Sequence, residues 1–114
     1  YIYLIYIYMS NKYEYWYDPN HTGALRVIDH KNKIIYGSDP NEKKWIAHFE
    51  KINSDQLKVD FTSKKTHKRP DKIIYATYVN RKQYLVWSVK KDINEFENVW
   101  QRIRVPLENV LSQL

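Results

Sequence analysis

The chain has 114 residues, of which 43% are hydrophobic and 28% charged. That describes one globular domain, too apolar for a disordered chain and long enough to bury a core without staples. The absence of cysteine excludes disulfides, thiolate metal sites and cysteine nucleophiles, and a net charge of +6 favours an acidic partner.

The opening tract, YIYLIYIYMS, contains only Tyr, Ile and Leu before Met9. Eight apolar residues fall far short of the roughly 20 that span a bilayer as a helix. No basic region or small-residue cleavage site accompanies them, so a signal peptide does not fit and the sequence points to an intracellular protein. Residues 1–9 read either as an extra edge strand or as a stretch outside the domain, with Met9 as the natural start. Residues 10–114 then form a single β domain.

From Tyr13 onward, short apolar runs alternate with turn chemistry. YEYWY (13–17) ends in Asp18-Pro19-Asn20 and Gly23, which supply the preset φ and the permissive position of a reversal. ALRVIDH (24–30), IIYGS (34–38), WIAHFEKI (45–52), LKVDFTS (57–63), KIIYATYV (72–79), YLVWSV (84–89) and NVWQRIRV (98–105) follow. They are rich in Tyr, Ile, Val, Trp and Thr, and they alternate with period two. Leu57, Val59 and Phe61 share one face, and so do Trp45, Ala47 and Phe49. The connecting segments are of hairpin length, so consecutive strands pair as an antiparallel meander. Seven or eight such strands make a small barrel or curled sheet. The tail, PLENVLSQL (106–114), carries Leu107, Val110, Leu111 and Leu114 at helical spacing behind Pro106, the pattern of a short helix.

Charge is concentrated in KKTHKRPDK. Lys64, Lys65, Lys68, Arg69 and Lys72 against Asp71 give +4, leaving +6 − 4 = +2 for the rest of the chain. With His67 among them, these residues are candidates for phosphate or other polyanion contacts, nucleic acid included. Lysine acts there as a point charge, which suits affinity more than base recognition. A nuclear import signal is a further reading, and a solvated hairpin loop is the plainer one.

The four tryptophans all fall within predicted strands, where they either fill the barrel or build a stacking surface. Trp16, Trp87, Trp100 and Tyr75 are the candidates for an aromatic ligand site at a barrel mouth. Trp87 and Trp100 are expected to face each other across the last hairpin. The histidines have no metal-ligand spacing, though His21 shares a turn with Asp18. Asp29 and His30 are adjacent on a strand, so Asp29 points away from His30. No cofactor motif is present, and no nucleophile stands out. Asn20-His21-Thr22 matches a glycosylation sequon of the kind an Asn-rich chain produces by chance.

The segments YDPNHTGALR, YGSDPNEKKW, LKVDF and LVW…NVWQRI resemble a class of small uncharacterised all-β proteins of protists, algae and large DNA viruses. In that class the last hairpin reads W-x-D-G-N-x-W, whereas here SVKKDINEFENV separates Trp87 from Trp100. The resemblance supports the all-β fold and implies no activity. The sequence therefore points to a β-barrel-like binding module acting through the basic loop or an aromatic mouth. The alternative is a small hydrolase-like enzyme using a mouth-facing His or Asp.

Overall fold

A computed structural model of the chain describes residues 13–21, 25–38, 45–61 and 73–104. The predicted helix at 106–114, residues 1–9 and the basic segment 64–72 lie outside them. Eight strands run in sequence order: β1 (Tyr13–Tyr17), β2 (Leu25–Asp29), β3 (Ile34–Ser38), β4 (Trp45–Asn53), β5 (Gln56–Asp60), β6 (Ile73–Val79), β7 (Tyr84–Ser88) and β8 (Phe96–Ile103). Each pairs antiparallel with its successor, and β8 pairs with β1, so the meander closes into a barrel. Every predicted apolar run became a strand, with ends moved by up to three residues. Closure leaves no unpaired edge, which is what a sheet of short hairpins gains by curling.

The two-residue period decides what fills the barrel. Ile28, Ile35, Ala47, Leu57, Val59, Ala76 and Leu85 are all fully buried. An eight-stranded barrel is just wide enough for side chains to fill, and here they occupy its middle. All four tryptophans point inward, and each is buried.

The barrel has two ends with different chemistry. At the lower end lie the start of β1, the β2–β3, β4–β5 and β6–β7 turns, and the end of β8. The β2–β3 turn is held by Asp29, whose carboxylate accepts from the Lys31 and Asn32 amides at 3.0 and 3.2 Å. Lys33 there has a φ of 54°, and Asn80, Arg81 and Lys82 in the β6–β7 turn have φ values of 52°, 54° and 62°. The β1–β2 turn, where the His21 amide donates to the Asp18 carbonyl at 3.0 Å around Pro19, belongs to the upper end.

The segment that lengthens the last hairpin folds back over the outer wall. Ser88 Oγ donates to the Lys90 carbonyl at 2.6 Å, and Gln56 Nε2 donates to that of Lys91 at 2.9 Å. This accounts for the burial of Ser88, Val86 and Gln56, which lie on the outward register of their strands. A short 3-10 turn, Ile93–Glu95, capped by Asp92, completes the excursion. Among the described residues no helix is long and apolar enough to cross a membrane.

Candidate binding site at the upper end of the barrel

One row of inward positions can be followed across five strands. Arg102, Trp16, Arg26, Gly37 and Trp45 are successive partners on β8, β1, β2, β3 and β4. Gly37 is required here by close approach. A Cβ at this position would lie 2.8 Å from Arg26 Cδ and 2.8 Å from Trp45 Cζ2. The missing side chain lets the Arg26 stem and the Trp45 ring cross the inner face.

Arg26 is 3% exposed, a strongly buried arginine. Its guanidinium carbon lies 5.2 Å from the Trp45 ring centre and 5.9 Å from that of Trp100. The aromatic rings complete a circuit. Trp45 meets Phe61 at 5.8 Å, Phe61 meets Trp87 at 6.0 Å, and Trp87 meets Trp100 at 4.5 Å, all with tilted planes. Such tilted pairs and cation–π contacts add to the stabilisation from area burial alone.

Asp18 anchors the polar side of this circuit. Its carboxylate accepts from the Asn20 amide, His21 Nδ1 and Asn98 Nδ2, each at 3.0 Å, and lies 3.5 Å from Arg26 Nη2. Trp87 Nε1, in contrast, is a buried donor with no hydrogen-bond acceptor among the described residues. An indole N–H has no second role to play, so this group is either a standing cost of folding or one half of a recognition contact.

A separate polar cluster sits at the lower end. Glu14 is buried and accepts from Trp16 Nε1 at 3.0 Å, from Tyr78 Oη at 2.8 Å and from His30 Nε2 at 2.5 Å. Burial pushes the Glu14 pKa up. The bond to His30 and its charge, the Tyr78 hydroxyl and the Arg102 charge outweigh that and hold it below the ordinary value of 4.5. Burial, followed by the charge and hydrogen bond of Glu14, pushes the Tyr78 phenol well above its ordinary range. The partner of His30 is thus Glu14, sixteen residues distant, and not the adjacent Asp29.

Of the aromatic candidates, Trp87 and Trp100 join the upper circuit. They are diagonal neighbours, since Trp87 is paired with Asn98 and Trp100 with Leu85. Trp16 is fully buried and leans toward the lower end, 6.0 Å from Tyr78. Tyr75 is on the outer wall, between Lys58 and Ser88 in register, away from the tryptophans. Lys64, Lys65, His67, Lys68, Arg69 and Lys72 lie in the β5–β6 connection, outside the described residues. Sequence reasoning missed Arg26, Trp45, Phe61 and Asp18. A signal existed for Arg26, because alternation through LRVID puts it on the same face as Ile28.

His21, His30 and His48 are dispersed: His21 at the upper end, His30 at the lower and His48 exposed on the outer wall. Among the described residues no group of three or more His, Cys, Asp or Glu side chains could hold a metal ion. No protein-family model, curated protein or solved structure matches the chain.

Proposed function

We propose that the protein is a small-ligand binding module whose site is the upper end of the barrel, between Arg26 and the Trp45–Phe61–Trp87–Trp100 circuit. The observation that carries this reading is the buried N–H of Trp87, which has no acceptor among the described residues, on a ring that shares the neighbour Trp100 with the buried Arg26. The carboxylate at this end, Asp18, is already met by four donors, so the ligand must bring the acceptor. Aromatic walls favour a planar body, and the guanidinium favours negative charge, which together describe a planar carboxylate. The ligand enters from the end, because the middle of the barrel is packed. Titration with benzoate, nicotinate and naphthoate, followed by tryptophan fluorescence, tests this. Saturable quenching that Trp87→Phe weakens supports it, and a flat response to all three counts against it.

A second reading has the basic segment as effector. It follows Phe61, a member of the aromatic circuit, in the chain, and Lys64, Lys65, His67, Lys68, Arg69 and Lys72 would hold the polyanion. Charge reversal at Lys64, Lys65, Lys68 and Arg69 is then expected to abolish salt-sensitive oligonucleotide binding. The enzymatic alternative has less support. Asp18 orients His21, but among the described residues no hydroxyl nucleophile is bonded to that imidazole.

A further inference from the structure

The lower end of the barrel gathers positive charge from segments far apart in sequence. Lys31 and Lys33 lie in the β2–β3 turn, Arg81 and Lys82 in the β6–β7 turn, and Arg102 and Arg104 at the end of β8. Because β8 lies between β7 and β1, and β1 adjoins β2, these residues follow one arc around the barrel rim. The arc is tied together by backbone, the Arg102 amide donating to the Gln83 carbonyl at 2.9 Å. All six are exposed except Arg102, which is half-buried over the Trp16 ring. Among the described residues none of them forms an ion pair. Of the carboxylates at this end, Asp29 holds its own turn and Glu14 is held by His30, Trp16 and Tyr78, while Asp55, in the β4–β5 turn, is a single negative charge against the six cations.

The backbone adds an independent observation. Lys33, Arg81 and Lys82 all adopt positive φ, a region that costs an ordinary side chain and that glycine or asparagine occupies more cheaply. Long cations thus stand at three positions where local stability favours other residues. Strain of this kind clusters at functional sites.

We infer that this rim is a phosphate-backbone surface for single-stranded nucleic acid. The turn residues 30–33 and 80–83 contain no apolar side chain, and Ile103, exposed between Arg102 and Arg104 at the end of β8, is a single one, too little to anchor the rim in a bilayer. They do interleave the cations with Asn32, Asn80 and Gln83, which suit phosphate and sugar contacts. Tyr84, half-buried on the outer wall beside the rim, offers a ring face for stacking. This surface is at the opposite end from the carboxylate site and does not depend on it.

The test is fluorescence anisotropy with an end-labelled, mixed-sequence single-stranded oligonucleotide across a salt series, with duplex DNA and anionic phosphatidylserine vesicles in parallel. The parent protein is expected to bind the single strand with log K falling linearly in log salt. Replacing Lys33, Arg81 and Lys82 together by Asn should weaken binding about tenfold or more and reduce the slope by about 0.7 for each lost contact. A Lys33, Arg81→Asn double variant, which leaves Lys82 on the Tyr78 ring at 5.1 Å, should melt at or above the parent temperature, since Asn relieves the backbone; a merely structural role predicts a lower one. Lys31→Gln with Arg104→Gln, outside the strained positions, gives a second and smaller loss of affinity that does not rely on the triple variant folding. Three outcomes overturn the proposal: no binding at low salt, preference for vesicles, or losses confined to a Lys64, Lys65, Lys68, Arg69→Gln variant.

Discussion

Tyr78 Oη reaches both carboxylate oxygens of Glu14, at 2.8 and 3.0 Å, joining two residues sixty-four positions apart. Tyr78 belongs to β6 and Glu14 to β1, so the contact crosses the barrel interior and not a ladder between neighbours. It helps convert a curled sheet into a closed body with a polar pin at one end. Tyr78→Phe deletes that donor and leaves the ring, so it should cost about 1.5–3 kcal/mol, the range for a bond to a charged group. Urea denaturation measures it. A midpoint equal to the parent's would mean that the pin contributes nothing.

Acid should expose the same pin. Glu14 is held below the ordinary carboxylate value of 4.5 in the folded state, so the native chain gives up a proton that the unfolded chain retains. Its stabilisation is complete above 4.5 and is lost as pH falls through the depressed folded value. Denaturation midpoints of the parent should therefore drop on acidification more steeply than those of Glu14→Gln, which cannot titrate. Parallel curves would assign the acid sensitivity to other groups.

Gly37→Ala should be destabilising although alanine suits a strand better. The new methyl would meet Arg26 Cδ at 2.8 Å and Trp45 ring atoms at 2.8 and 2.9 Å, and a packed ring has little room to withdraw. Overpacking of this kind costs about 1–3 kcal/mol. Near-ultraviolet circular dichroism should change as well, because the Trp45 ring must move. An unchanged aromatic spectrum with unchanged stability would contradict the crowding at this row.

Asp18→Ala removes one partner of a buried ion pair together with three hydrogen bonds. Breaking such a pair on one side typically costs about 3–5 kcal/mol, since a buried charge loses its compensation. Asp18→Asn, which keeps the side-chain oxygen that the Asn20 amide uses, should fall between parent and alanine. Thermal melts of the three proteins order them directly, and an alanine variant as stable as the parent would remove Asp18 from the framework of the site.

The strands were legible because alternation and turn chemistry are local. YEYWY, IIYGS and LKVDF each carry their own face assignment, and Asp-Pro-Asn after Tyr17 marks a reversal without reference to the rest of the chain. The site was legible only in part. Trp87 and Trp100 stood out by residue type, yet Arg26 is an ordinary charge in a strand until Gly37 and Trp45 are known to be its successive cross-strand neighbours. Tyr75 drew attention as an aromatic among aromatics, but the register through Lys58 and Ser88 turns it to the outer wall. The Glu14–His30–Tyr78 cluster had no sequence signal at all, because its members come from β1, the β2–β3 turn and β6. The rim cations were hidden for the same reason: each segment holds only a pair, and the arc exists only after closure.

Trp87 is the residue on which a ligand at the upper end most depends, and its indole N–H gives a proton–nitrogen NMR resonance of its own. Titrating the labelled protein with benzoate, nicotinate and naphthoate should move that resonance saturably with at least one of them. The Trp16 indole, already bonded to Glu14, should stay in place. A Trp87 resonance that stays fixed throughout, or that moves no more than the Trp16 signal, would contradict the account.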